Sequence, residues 1–164
     1  MVRKKSNDDD DSIMKEQFLR ILENKQIGTV FQPIVSLRDG SIYGYEALSR
    51  GPVNTDMYYP TVLFDCAEAY DKTWELELLC RMKAIETAHG MNTRFRLFLN
   101  VNPKIIHDEK FKQGFTKEYL EQNGISPEDV IFEITERGVI SNASDFIATI
   151  ENYKSQNFRI AIDD

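Results

Sequence analysis

At 164 residues, with 41% hydrophobic side chains and mixed charge, the chain can bury one core and is neither disordered nor fibrous in composition. Its formal net charge of −7 argues against a polymeric nucleic acid partner, whose binding rests on many Lys and Arg contacts to phosphate. A small anionic ligand held by metal ions and one or two arginines stays compatible.

Residues 1–11 run from basic to acidic with almost nothing apolar, which reads as a charged tail or the end of a linker; residues 12–164 form the domain. The terminus has no signal-like apolar segment, and no run in the chain approaches the roughly 18 apolar residues of a membrane span, so a cytoplasmic protein is expected. Structure is expected to begin near Ser12, where Ile13, Met14, Phe18, Leu19, Ile21 and Leu22 recur at helical spacing up to Asn24–Gly28. A strand over about 29–36, the turn signal Asp39-Gly40 and a second strand over 42–48 predict a hairpin, hence an antiparallel first pair.

The pattern then changes to alternating helix and strand. Pro60 opens a helix toward Tyr70, and Trp74, Leu78, Met82 and Ile85 trace a second one closed by Gly90. A strand over 97–101, a helical region over about 103–123 with Gly124 after it, and a helical turn at Ser126-Pro127-Glu128 follow. A strand over 130–134, a helix capped by Ser141 or Ser144 and carrying Phe146, Ile147, Ile150 and Tyr153, and a strand over 158–162 complete the chain. This alternation predicts a parallel α/β architecture. About five strands fall short of the eight of a (β/α)8 barrel of about 250 residues, so a truncated chain, a fragment or half of an assembly is expected. An open sheet edge would then favour self-association or an adjacent regulatory domain. Cys66 and Cys80 sit in apolar helical stretches without CxxC spacing or a neighbouring histidine, as reduced core residues do.

Four strand ends carry an oxygen donor of the kind that holds Mg²⁺ or Mn²⁺: Glu46, Asn100, Glu133 and Asp163, the last followed by Asp164. Successive barrel strands bring such residues together on one face, where barrel active sites lie. Other roles stay open on residue pattern alone. Glu46 could pair with Arg50 or a lysine, Asn100 could form a turn, and Gln32 could satisfy a backbone group rather than touch a ligand. Enolase-like enzymes and glycosidases also end barrel strands in carboxylates, but the additional base or paired acid they need is not identifiable in this sequence.

The ordered blocks Phe31-Gln32-Pro33-Ile34-Val35, Glu46-Ala47-Leu48 with Arg50, Asn100-Val101-Asn102-Pro103, Glu133-Ile134-Thr135-Glu136 and Asp163-Asp164 resemble the EAL family of bacterial cyclic di-GMP phosphodiesterases. The resemblance implies a modified TIM barrel with an antiparallel first strand. It implies metal-dependent hydrolysis of cyclic di-GMP to the linear dinucleotide in second-messenger signal transduction. It also implies that Glu46, Asn100, Glu133, Asp163 and Asp164 are metal ligands of a two-metal Mg²⁺ or Mn²⁺ site, with Glu46, Asp163 and Asp164 catalytic. Arg50 and Gln32 would bind substrate, and Glu136 would play a structural or outer role. Gly51 departs from the aromatic residue that often follows the arginine. The lysine and late glutamate of the family pattern lie beyond Asp164, so the 164-residue chain alone is expected to be inactive. The alternative is a catalytically silent cyclic di-GMP receptor or a protein-interaction module.

Overall fold

The computed structural model describes residues 3–91, 95–135 and 143–163. Its elements are α1 (Arg3–Glu23), β1 (Gly28–Val35), β2 (Ile42–Arg50), α2 (Pro60–Ala69), α3 (Thr73–His89), β3 (Arg96–Asn100), α4 (Phe115–Gln122), β4 (Val130–Thr135), α5 (Ala143–Ser155) and β5 (Arg159–Asp163). Short 3-10 turns occupy Asp56–Tyr58, Pro103–His107 and Pro127–Asp129.

The strands form one five-stranded sheet in the order β1-β2-β3-β4-β5. The first pair is antiparallel and the others parallel, as the hairpin and the helix–strand alternation predict. Gly40 makes the hairpin turn at φ 73°, a left-handed conformation that a Cβ would strain. The Asp39 carboxylate fixes that turn by accepting from the Ser41 amide at 3.1 Å and hydroxyl at 2.7 Å.

Register assigns every second strand residue to one face. Leu97, Leu99, Val130 and Phe132 turn toward the helices and form the main core with Ala84, Ile85, Ala88, Leu120, Tyr153 and Phe158. Phe132 packs against Tyr153 and Phe158 at ring-centroid distances of 4.1 and 4.9 Å. A second cluster joins α1 to α2 and α3 through Phe18, Ile21, Leu63, Ala67, Leu76 and Leu79. Cys66 and Cys80 lie in it as free, buried thiols. Burial pushes the Cys80 thiol up to about 12, so it stays protonated and inert.

Several expectations are corrected. The backbone of α1 is helical from Arg3, well upstream of Ser12, because no Pro or Gly interrupts the charged run. Within α1, Phe18 and Ile21 are buried but Ile13, Met14 and Leu19 are exposed. The stripe turned toward α2 runs through Asp11, Lys15 and Phe18: Asp11 accepts from the Tyr70 hydroxyl at 3.0 Å and Lys15 lies over that ring. Ile147 is likewise exposed, on the outer face of α5. The region 103–123 is not one helix. Asp108 accepts from the Lys110 amide at 2.8 Å, Phe111 turns in against Trp74, and Gly114 at φ 87° starts α4 afresh. Trp74 is therefore core, as its place in the α3 stripe predicts. Ser141 lies outside the described residues, and Ser144 sits within α5 rather than before it.

Candidate metal and ligand site

The face of the sheet turned away from the helices carries the polar strand-end residues. Asn100 and Glu133 are direct register partners across β3 and β4. Glu46 pairs with Phe98 on one side and Gln32 on the other, which places it one pleat below Asn100 on the same face. Glu133 pairs with Ala161 and Thr135 with Asp163, so Asp163 stands one pleat above Glu133, again on that face. Residues separated by up to 117 positions thus share one rim through parallel register alone.

The contacts on this rim differ from ordinary structural pairing. Asn100 donates its side-chain amide to Glu46 Oε1 at 2.8 Å. Among the described residues Glu46 forms no ion pair with Arg50 or a lysine, which removes the structural pairing open from sequence. Glu133 is 9% exposed, and its Oε2 is buried with no hydrogen-bond partner. Burial, with the nearby charges of Glu46 and Asp163, raises the Glu133 carboxyl to about 7. A buried carboxylate oxygen without a donor, facing two further carboxylates, is a site that a cation would stabilise. The donor set of carboxylates and one amide oxygen suits Mg²⁺ or Mn²⁺ in kind. No three His, Cys, Asp or Glu side chains among the described residues form a closed metal-binding group. Glu46 and Asn100 are instead bonded to each other, Asp163 is exposed, and Asp164 and Glu136 lie outside the described residues.

Arg50 ends β2, donates to the Ser49 carbonyl at 2.8 Å, and lies 6.0 Å from the centre of the Tyr58 ring. Gln32 is exposed on β1 opposite Glu46, so its amide is open to solvent on the same face as the carboxylates. Gly51 has a local reason for lacking a side chain. Its amide donates to the Tyr58 carbonyl at 3.2 Å, and a Cβ there would come within 2.0 Å of the Met57 carbonyl oxygen. The turn at Asp56–Tyr58 thus folds back onto Gly51, with Met57 buried beneath it.

The sequence reading passed over one polar group near the rim. Glu77 and Arg81 of α3 are each 6% exposed, 3.6 Å apart, and packed behind the loop that follows Asn100. The visible signal was a carboxylate and an arginine four residues apart inside an apolar helical stretch, a spacing usually read as a solvated surface pair. A cavity of about 440 Å³ opens beside that loop, with Leu48, Phe64, Glu77, Arg81, Asn100 and Asn102 on its walls.

Comparison with known proteins agrees with this architecture. The Escherichia coli K12 protein named "Probable cyclic di-GMP phosphodiesterase PdeI" is 29% identical over 154 residues, which is 87% of this chain and 19% of that protein. The chain therefore spans about a fifth of the length of that curated relative. The Klebsiella pneumoniae BlrP1 structure, a manganese and cyclic di-GMP complex, matches with a TM-score of 0.73 at 24% identity over 85% of this chain and 35% of that one. The Xanthomonas citri FimX EAL domain in complex with cyclic di-GMP matches with a TM-score of 0.81 at 17% identity, over 96% of this chain and 62% of that one. These two likenesses are likenesses of fold. The EAL domain family model matches residues 15–164, and the chain belongs to that family.

Proposed function

We propose that this chain bears the metal-binding rim of a cytoplasmic cyclic di-GMP phosphodiesterase that opens its substrate to the linear dinucleotide. One observation carries the reading. Glu46, Asn100, Glu133 and Asp163 share one face at adjacent strand ends, and Glu133 is a buried carboxylate without a donor. Support also comes from the family membership and from the likeness to PdeI, named a probable cyclic di-GMP phosphodiesterase.

Glu46, Asn100, Glu133 and Asp163 would hold Mg²⁺ or Mn²⁺, with Asp164 serving a second ion. When bound, the ions would lower the pKa of a water and stabilise charge on the phosphate oxygens. The remaining work falls to the chain's own groups. Asn100, while bonded to Glu46, restrains that carboxylate before any ligand arrives. Arg50, backed by Tyr58, offers guanidinium donors to a ligand phosphate, and Gln32 offers an amide on the same face. The closed β1–β2 hairpin keeps both on a rigid support.

The test measures Mn²⁺ binding, cyclic di-GMP binding and hydrolysis by the chain and by its Glu46→Ala and Arg50→Ala variants. The expected result is Mn²⁺ binding that fails in Glu46→Ala and cyclic di-GMP binding that weakens in Arg50→Ala. Absence of both kinds of binding in the unaltered chain would overturn the proposal. Binding without turnover is the result expected of the 164-residue chain, and turnover by it would refute the receptor reading.

A further inference from the structure

We infer that Glu77 is a positioning residue for the Asn100 strand end: its buried carboxylate fixes the loop immediately after the donor that is bonded to Glu46. The inference rests on the metal-site reading given above and adds a residue to it from outside the rim.

The geometry is a continuous chain of contacts. Glu77 Oε1 accepts from the Asn102 backbone amide at 3.1 Å, two residues beyond Asn100. Its other oxygen lies 3.6 Å from Arg81 Nη2, one helical turn along α3. Arg81 is itself anchored, donating to the Thr116 hydroxyl of α4 at 3.0 Å and lying 5.4 Å from the centre of the Phe132 ring. The same loop is tied at two further points. The Val101 amide donates to the Glu133 carbonyl at 2.9 Å, and the buried Thr149 hydroxyl of α5 donates to the Pro103 carbonyl at 3.1 Å. Residues 101–103 are thus bonded, one each, to β4, α3 and α5. The Asn100 side chain then reaches Glu46.

Stability alone does not account for Glu77. A buried ion pair is often replaceable by apolar side chains of similar volume without loss, because desolvation offsets the attraction. Burial raises the Glu77 carboxyl to about 7 although Arg81 and the Asn102 amide both act in the opposite direction, so the site holds an expensive group. The target of that group is a loop amide rather than a neighbouring helix. Partners that orient metal-binding side chains characteristically alter metal affinity when removed.

The test compares Mn²⁺ affinity by calorimetry with amide hydrogen exchange at Asn102 in the full chain. Glu77→Leu removes the acceptor and should raise the Kd for Mn²⁺ by about 10- to 100-fold, the usual range for such partners, and speed exchange at Asn102. Glu77→Gln keeps an acceptor oxygen and should stay within about threefold of the unaltered chain, well below that range. Ile85→Val, a fully buried position on the same helix, should lower the melting temperature without moving the Kd. Unchanged affinity in Glu77→Leu, or an equal loss in Ile85→Val, overturns the inference. If Glu77→Leu does not fold, Glu77→Asp decides the matter, since it keeps the charge but withdraws the oxygen, and an unchanged Kd there overturns it too. Failure of the unaltered chain to bind Mn²⁺ would instead overturn the metal-site reading on which the inference stands.

Discussion

The two faces of the sheet are made from the same strands, yet alternate residues have opposite energetic roles. On the helix side Leu97, Leu99, Val130 and Phe132 are nearly inaccessible, and each contributes stability by leaving water. On the other side the charges of Glu46 and Asp163 act against that of Glu133, whose Oε2 has no hydrogen-bond partner, while Asn100 bonds to Glu46. One face supports the fold, and the other leaves a buried carboxylate oxygen without a hydrogen-bond partner. A strand in a parallel sheet can carry both because its side chains alternate with a period of two.

The largest expected effect falls on the helix face. Phe132→Ala should cost about 3–5 kcal/mol in chemical denaturation, the range for emptying a buried aromatic site. An unchanged midpoint would break the contrast between the faces. Gly44→Val comes next, since a Cβ there would stand 2.6 Å from the Arg96 carbonyl and 2.7 Å from the Phe98 ring. About 1–3 kcal/mol of destabilisation is expected from that overpacking, measured the same way.

On the rim the sign reverses. The Glu133 carboxyl, raised to about 7 from its ordinary 4.5, favours the folded state most when protonated. Its contribution is therefore fully present below about 4.5 and is lost as the pH rises toward 7. Without divalent cations, Glu133→Gln should flatten this decline and stabilise the chain at pH 8 by about 1–2 kcal/mol, while removing Mn²⁺ binding. A Glu133→Gln chain that is less stable at pH 8 would show the carboxylate to be paired after all. The smallest stability change is expected for Glu46→Ala, within about 0.5 kcal/mol because the side chain is only half buried. Its Mn²⁺ affinity should nevertheless fall at least about tenfold, as loss of a direct ligand exceeds loss of a supporting partner. Equal Mn²⁺ binding by this variant would remove Glu46 from the ligand set.

Particular residues show where reading the chain succeeds. Asp39-Gly40 marks the hairpin because only a few residue types tolerate its turn, Pro60 opens α2 because its fixed φ suits a first helical turn, and Gly90 follows α3 because glycine is a poor helix former. The apolar runs at 97–101 and 130–134 identify buried strands of a sheet covered by helices. Reading fails where periodicity is interrupted by local bonding. The loop at 108–114 depends on Asp108 capping its own turn and on Phe111 meeting Trp74, a contact across the fold. The outward placement of Ile13, Met14 and Ile147 depends on which helical face another element happens to cover.

What the sequence determined by itself is therefore local and ordinal: element types, the turn chemistry, the family blocks, and the oxygen donors at strand ends. Those features follow from backbone preferences and from side-chain spacing, which neighbouring residues set. Tertiary structure alone decided which donors share a face, that Asn100 rather than Arg50 meets Glu46, and that Glu77 stands behind the loop. Each of these joins residues at least 25 positions apart, and such distances are closed by strand register and helix packing, which no local spacing encodes.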